Sequence, residues 1–148
     1  MTRPEVRPIA PGDEDAWRRL FRDYGVFYET HFETPVLDHV WGLLHAEDGG
    51  VDALVAEVDG EVVGIAHYRS HPDTFGTGRD WYLDDLFVDP SARGGGAATA
   101  LIEHLTALAK AKGPGTIRWI TAEDNERAQR VYDRLAKRTT WVTYEVRL

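Results

Sequence analysis

Three groups of residues have types and spacings that could do chemistry. The first is Arg93-Gly94-Gly95-Gly96-Ala97-Ala98, which follows an apolar run ending at Val88 and opens a stretch of helical spacing. Unpaired N–H groups at a helix start point outward, and the macrodipole adds positive potential there. Glycines let phosphate oxygens come close to that backbone, and the Arg93 guanidinium would add a fork of donors. The natural reading is a phosphate or pyrophosphate site. A dinucleotide fingerprint fails, because Thr99 stands where a third small residue is needed and no acid lies about twenty positions on, around Pro114. A nucleoside-triphosphate loop fails too, for want of Gly-Lys-Ser/Thr.

The second group is Asn125, Ala128 and Tyr132, at i, i+3 and i+7, which share one helix face. Ala128 leaves room for a slender ligand arm, Asn125 offers its amide groups and Tyr132 a hydroxyl. Spacing alone favours Tyr132 as an amphipathic core residue. The third group is Asp84-Asp85 inside the run Trp81–Val88. Strand alternation predicts that the two acids point to opposite faces. Burying either among Leu83, Leu86, Phe87 and Val88 is costly unless solvent or a cation is near.

Other candidates sit closer to the N-terminus. The segment Tyr24–Phe32 is unusually aromatic for a connection and includes Glu29, with Glu33 just beyond. It would suit a cationic amine with an apolar spacer, with Tyr28 and Glu29 as contacts. His67 and His71 share a strand face but stand about 13 Å apart by strand rise, too far to share a metal. No metal site is expected, and one or both of His67 and His71 are candidates to hydrogen-bond in or near the amine pocket, with a surface position as the alternative.

The elements that would position these groups follow from periodicity. Residues 5–9 read as a short edge strand, and Ala16, Trp17, Leu20, Phe21 and Tyr24 recur at helical spacing. A second helix fits 35–46. Residues 52–58 and 61–70 form a hairpin around Asp59-Gly60. A loop over 71–80 leads to a strand at 81–88, and a helix over 97–112 carries Ala98, Leu101, Leu105 and Leu108 on one stripe. A strand at 116–121, a helix at 124–136 and a terminal strand at 141–148 complete the order β-α-α-β-β-β-α-β-α-β. The expectation is one α/β (α+β) domain over residues 1–148, a mixed, mostly antiparallel sheet flanked by about four helices.

The residues resemble the GCN5-related N-acetyltransferases (GNAT). Arg93 to Ala98 is similar to the family's Arg/Gln-x-x-Gly-x-Gly/Ala coenzyme A loop, in the same place between strand and helix. Asn125 to Tyr132 is similar to its Asn-x-x-Ala-x-x-x-Tyr. The element order is also the family's, so the resemblance covers nearly the whole chain. Tyr82-Leu83-Asp84-Asp85-Leu86-Phe87-Val88 further resembles Tyr-Leu-Glu-Asp-Phe-Phe-Val of the spermidine/spermine and histone/polyamine acetyltransferase branch. One departure is Thr140-Trp141, where the family often closes its second motif with Gly-Phe.

The resemblance implies acetyl-CoA as co-substrate, held by Phe87, Val88, Arg93, Gly94, Gly95, Gly96, Ala97, Ala98, Asn125, Ala128 and Tyr132. It implies Tyr132 as general acid, Asp84 as base and a backbone N–H near Phe87–Val88 for the carbonyl oxygen. That N–H would be freed where the strand splays from its neighbour at 116–121. Asp85 is left to bind the cationic substrate or to bond locally. The implied activity is direct acetyl transfer to a primary amine of a small cationic, polyamine- or diamine-like acceptor. The rivals are a protein Lys or N-terminal acetyltransferase and a non-catalytic coenzyme A-binding module. Dimerisation is common in the family, so a homodimer is carried as an expectation, with the terminal strand as a candidate interface.

Composition agrees with a soluble enzyme. The 148 residues are 43% hydrophobic and 28% charged, which excludes disordered and fibrous classes. No Cys is present, so disulfides and thiolate catalysis are excluded. No signal-like or membrane-length apolar run occurs, and a cytoplasmic location is expected. The net charge of -8 argues against nucleic acid as a partner. The charge is divided: residues 1–92 carry -12 and residues 93–148 carry +4. An anionic coenzyme suits the basic part and a cationic amine the acidic part.

Overall fold

The computed structural model describes residues 2–148. Their strands form one sheet in the order β1 (Glu5–Pro8), β2 (Asp52–Val58), β3 (Glu61–Pro72), β4 (Arg79–Val88) and β5 (Gly115–Arg118). The first four are antiparallel neighbours, and β5 runs parallel to β4. Asp59 and Gly60 both adopt positive φ (51° and 82°), the geometry of a tight two-residue hairpin turn. The β3–β4 hairpin is longer than its sequence suggests, and the connecting loop shrinks to 73–78.

Each face of the sheet has its own apolar layer. Helices α1 (Glu14–Phe27) and α2 (Thr34–His45) cover one face, where Trp17, Leu20, Leu37, Val55 and Ile65 are fully buried. Helix α3 (Ala97–Ala111) covers the other, with Leu101 and Leu105 against Leu54, Ala66, Trp81 and Leu83. Residues 53–56 of β2 are buried on both faces, which explains their unbroken apolar run. Within α3, Ile102 and Ala109 are buried and Ala98 is not, because Ala98 looks into the cavity described below. Arg7 joins β1 to the turn before α1 by donating to Asp13 at 2.7 Å and to Glu57 at 2.9 Å. Those bonds hold the Asp13 carboxyl below the usual carboxylate range. No described helix is long and apolar enough to cross a membrane.

Two expectations fail. Strand alternation would place Asp84 and Asp85 on opposite faces, but β4 carries a bulge there. His67 pairs with Asp85 while the next residue, Tyr68, pairs with Leu83, so Asp84 is the extra residue. Asp84 bonds Arg69 and Asp85 bonds His67, two β3 residues on the same face, so both acids lie on the α1/α2 side. Second, residues 141–148 join no strand. The chain leaves α4 (Glu126–Leu135) through extended Ala136 and never meets the sheet, although its alternating pattern is that of a strand.

Candidate active site

The β4–β5 pairing is short. It runs only from Arg79↔Gly115 to Tyr82↔Arg118, so residues 83–88 of β4 have no partner on that side and β5 ends three residues early. Asp89 N–H bonds the Val63 carbonyl on β3. Antiparallel alternation therefore turns Phe87 N–H toward β3 and leaves Leu86 and Val88 N–H facing the gap. A cavity of about 380 Å³ occupies this gap, a volume suited to a small-molecule arm.

One wall of the cavity is the glycine loop. Gly94 and Gly96 hold positive φ (87° and 85°), and a Cβ at either would meet nothing within 4 Å. The backbone there is bent and open on its outer side. No side chain caps α3, and among the described residues no protein acceptor meets the N–H groups of Gly96, Ala97 or Ala98. Arg93, Arg127 and Arg134 line the same cavity. The Arg93 guanidinium stands 5.8 Å from the Phe87 ring centroid and 6.0 Å from that of Phe27, which ties the loop to the end of α1. Free N–H groups at a helix start with three guanidiniums nearby fit a pyrophosphate.

The opposite wall is α4, which presents Asn125, Ala128, Val131 and Tyr132. Asn125 spends its side-chain oxygen on capping the helix, accepting the Ala128 N–H at 3.2 Å, so only its NH₂ group remains to offer a ligand. Burial, and then the neighbouring Tyr28, push the Tyr132 phenol up to about 12. Its ring meets Trp119 edge-on at 5.5 Å.

The far end of the cavity is lined by Tyr24 and Tyr28, and Asp85 lies off the lining but close enough for its charge to act on both. Burial first, and the Asp85 charge second, raise the phenols of both Tyr24 and Tyr28. Behind Asp85 runs a buried chain of hydrogen bonds. Trp17 Nε1–H donates to His67 Nε2 at 2.9 Å, and His67 Nδ1 meets Asp85 Oδ2 at 2.9 Å. Indole N–H can only donate, so His67 Nε2 accepts and the imidazole proton sits on Nδ1, directed at the carboxylate. Asp84 stands apart from this chain. Its carboxylate takes the Arg69 Nε–H at 2.9 Å, beside the Tyr82 ring. Burial nevertheless holds the Asp84 carboxyl above the usual range.

The structure thus brings together Phe87, Val88, Arg93, Gly94, Gly96, Ala97, Ala98, Asn125, Ala128, Tyr132 and Tyr28 around one cavity. Gly95 lies within the loop but off the lining. Glu29 is exposed past the end of α1 at φ 57°. His71 is exposed as well, its ring nitrogen on the Pro72 carbonyl, remote from the cavity lining. Phe27 and Tyr24 lie in the aromatic segment expected to line the acceptor pocket, whereas sequence reasoning missed Leu86, Ala92, Thr99, Val131 and Arg134 as lining residues and the Trp17–His67–Asp85 chain. Helical spacing from Arg127 to Arg134 could have found the second arginine. Nothing in the sequence pairs Trp17 with a histidine fifty residues away.

Comparison with known proteins agrees with this geometry. Residues 14–136 match the acetyltransferase (GNAT) family model. The chain is 31% identical to the D-amino-acid N-acetyltransferase HPA3 of Saccharomyces cerevisiae, over 95% of this chain and 88% of that protein. It is 28% identical to the thialysine N-epsilon-acetyltransferase of Mus musculus, over 89% of this chain and 82% of that protein. The ribosomal-protein-alanine N-acetyltransferase of Brucella melitensis shares its fold, with a TM-score of 0.80 at 23% identity, covering 98% of this chain and 99% of that one. The chain belongs to the GNAT acetyltransferase family, enzymes that use acetyl-CoA, and it is an N-acetyltransferase.

Proposed function

We propose that this enzyme transfers the acetyl group of acetyl-CoA directly to a primary amine of a small cationic acceptor, diamine- or polyamine-like, in a ternary complex. The observation that carries the reading is a single cavity with phosphate-binding chemistry at one end, Tyr132 along its wall and Tyr24 and Tyr28 at the other end, where the Asp85 charge acts from just behind the lining. Acetyl-CoA, when bound, supplies the thioester. The glycine loop with Arg93 and Arg127 holds its pyrophosphate, and Ala98 and Ala128 leave room for the slender arm.

Asp85 holds the incoming ammonium and accepts its proton, freeing the lone pair that forms the new N–C bond. His67, fixed by Trp17, keeps that carboxylate oriented. Val88 N–H bonds the carbonyl oxygen as negative charge builds on it. Tyr132 gives its proton to the departing sulfur as the C–S bond breaks, the second proton shed by the acetylated nitrogen restores the phenol, and Asp85 passes the first to solvent. A phenol pKa of about 12 keeps the Tyr132 proton in place at neutral pH until then. Asp84, the base implied by family resemblance, is tied to Arg69 and serves in this reading as part of an acidic wall. The enzyme works in the cytoplasm as a homodimer.

A second acceptor class, the amine of an amino acid, is favoured by the names of two relatives, which act on D-amino acids and on thialysine. Acetyl-CoA turnover against diamines, polyamines, D- and L-amino acids, aminoglycosides and a histone peptide tests both. Fastest turnover on a diamine or polyamine is expected. Fastest turnover on an amino acid would replace the acceptor, and silence throughout would leave a coenzyme A-binding module.

A further inference from the structure

Asp85 stands off the cavity lining, so a proton leaving an amine in the cavity needs a group between the two. Three phenols line the cavity: Tyr24, Tyr28 and Tyr132. The Tyr28 hydroxyl bonds Thr121, and Tyr132 stands across the cavity on α4. Of the three, Tyr24 has its hydroxyl within bonding reach of the Asp85 carboxylate.

Packing fixes that arrangement. Asp85 and Phe87 alternate along β4 past the bulge and share its α1/α2 face. The Tyr24 ring meets Phe87 edge-on at 6.0 Å and stacks against Phe21 at 6.1 Å. Phe21 in turn packs edge-on against His67 at 4.9 Å. The phenol is thus held by neighbours of Asp85 on both β3 and β4.

Trp17 and Tyr24 are seven residues apart on α1, two turns along one face. Trp17 donates to His67, and His67 Nδ1–H points at Asp85. Tyr24 comes to the same carboxylate from further along that face. One helix therefore grips Asp85 twice, from behind through a buried imidazole and from the cavity side through a phenol. The imidazole cannot carry a proton away, because the Trp17 N–H occupies Nε2 and Nδ1 already bears its hydrogen. The phenol can, since a hydroxyl accepts and donates at once.

We propose that Tyr24 is a catalytic residue whose hydroxyl carries the first proton of the acceptor ammonium to Asp85. This rests on the reading of Asp85 as base. The ammonium N–H donates to Tyr24 Oη while the Tyr24 O–H donates to the carboxylate. As the proton leaves nitrogen it bonds Oη, and the hydrogen already on Oη passes to Asp85. The nitrogen keeps the electron pair of the broken N–H bond and uses it to attack the thioester carbonyl. Tyr24 ends as a neutral phenol, and Asp85 as an acid that gives its proton to solvent. Burial first, and the Asp85 charge second, hold the Tyr24 phenol well above its usual range. No free phenolate forms, so the two transfers occur together.

Initial rates of Tyr24→Phe, Asp85→Asn and the double variant test the relay. Tyr24→Phe is expected to lower kcat about 10²-fold, as loss of a positioned proton carrier does, with the acetyl-CoA KM unchanged. The double variant should be no slower than the slower single one, because the two groups act as a unit. A β,β-difluorinated analogue of the fastest amine, neutral at assay pH, arrives without the proton to be removed. On that analogue Tyr24→Phe should match the parent enzyme. Equal slowing on both amines would mark a merely structural role and overturn the proposal. So would losses that multiply in the double variant. A fast Tyr24→Phe beside a slow Asp85→Asn would overturn it too, while leaving Asp85 as base. If both single variants are fast, the reading of Asp85 as base falls with the relay.

Discussion

Helix α3 buries Ala97, Leu101, Ile102, Leu105 and Ala109 against the sheet, whereas α4, across the same cavity, buries none of its residues. The two walls therefore differ in what holds them. The glycine loop is anchored by a helix that is part of the core, so its N–H groups are already arranged for a phosphate before any ligand arrives. Tyr132 rides on a helix whose apolar stripe is only half covered and which packs chiefly through Tyr132 and Leu135. The proposed coenzyme site is built into the stable part of the fold, and the proposed proton donor into its least supported part.

Removing the Tyr132 hydroxyl should have the largest effect. Tyr132→Phe is expected to lower kcat by about 10²–10⁴-fold, the range for a positioned proton donor, with little change in acetyl-CoA KM. Because burial raises this phenol to about 12, it stays protonated through the alkaline range of an ordinary assay. The alkaline limb of the rate profile below about pH 10 should therefore be the same in both proteins, and steady-state kinetics against pH will check it. A limb that vanishes in the variant would assign that limb to Tyr132 and contradict the raised pKa.

Next comes a direct comparison of the two walls by truncation. Leu101→Ala, at a position 1% exposed, should cost about 2–5 kcal/mol in a denaturant titration. Leu135→Ala on half-covered α4 should cost under about 1 kcal/mol in a single chain, as partly exposed sites do. Equal losses would mean that α4 is covered by something more than its own chain provides.

The smallest effect separates the paired acids. Asp85→Asn should reduce kcat/KM for the amine by about 10²-fold, as loss of a positioned base does. Asp84→Asn should cost about tenfold or less, since Arg69 already neutralises that carboxylate. The reverse order in initial rates would return the role of base to Asp84.

That the glycine loop and α4 would meet across one cavity was largely legible in the sequence because its logic is local. Glycines, an arginine and a helix start lie within six residues, and the Asn125-Ala128-Tyr132 face is fixed by helical spacing alone. The order of the first nine regular elements was legible for the same reason. The acceptor end was not. Whether Asp84 and Asp85 share a face depends on a bulge set by the pairing of β3 with β4, and periodicity within β4 cannot reveal it. The Trp17–His67 bond joins α1 to β3 through packing, with no sequence signal at either end. The terminal strand expected over 141–148 does not form, and the segment joins no sheet. Alternation says that a segment is strand-like but not whose edge it will meet.

The bulge at Asp84 works as a phase shift of one residue in the alternation of β4. It gathers onto one side of the sheet two carboxylates that regular pleating would have divided, and Arg69 neutralises one of them. One negative charge is left facing Tyr24 and Tyr28. Losing that single residue would halve the number of acids at the acceptor end and leave the glycine loop, a strand end away, untouched. A change in strand length, with no substitution in the cavity lining, is thus a route by which this scaffold could acquire a different amine while keeping the same coenzyme.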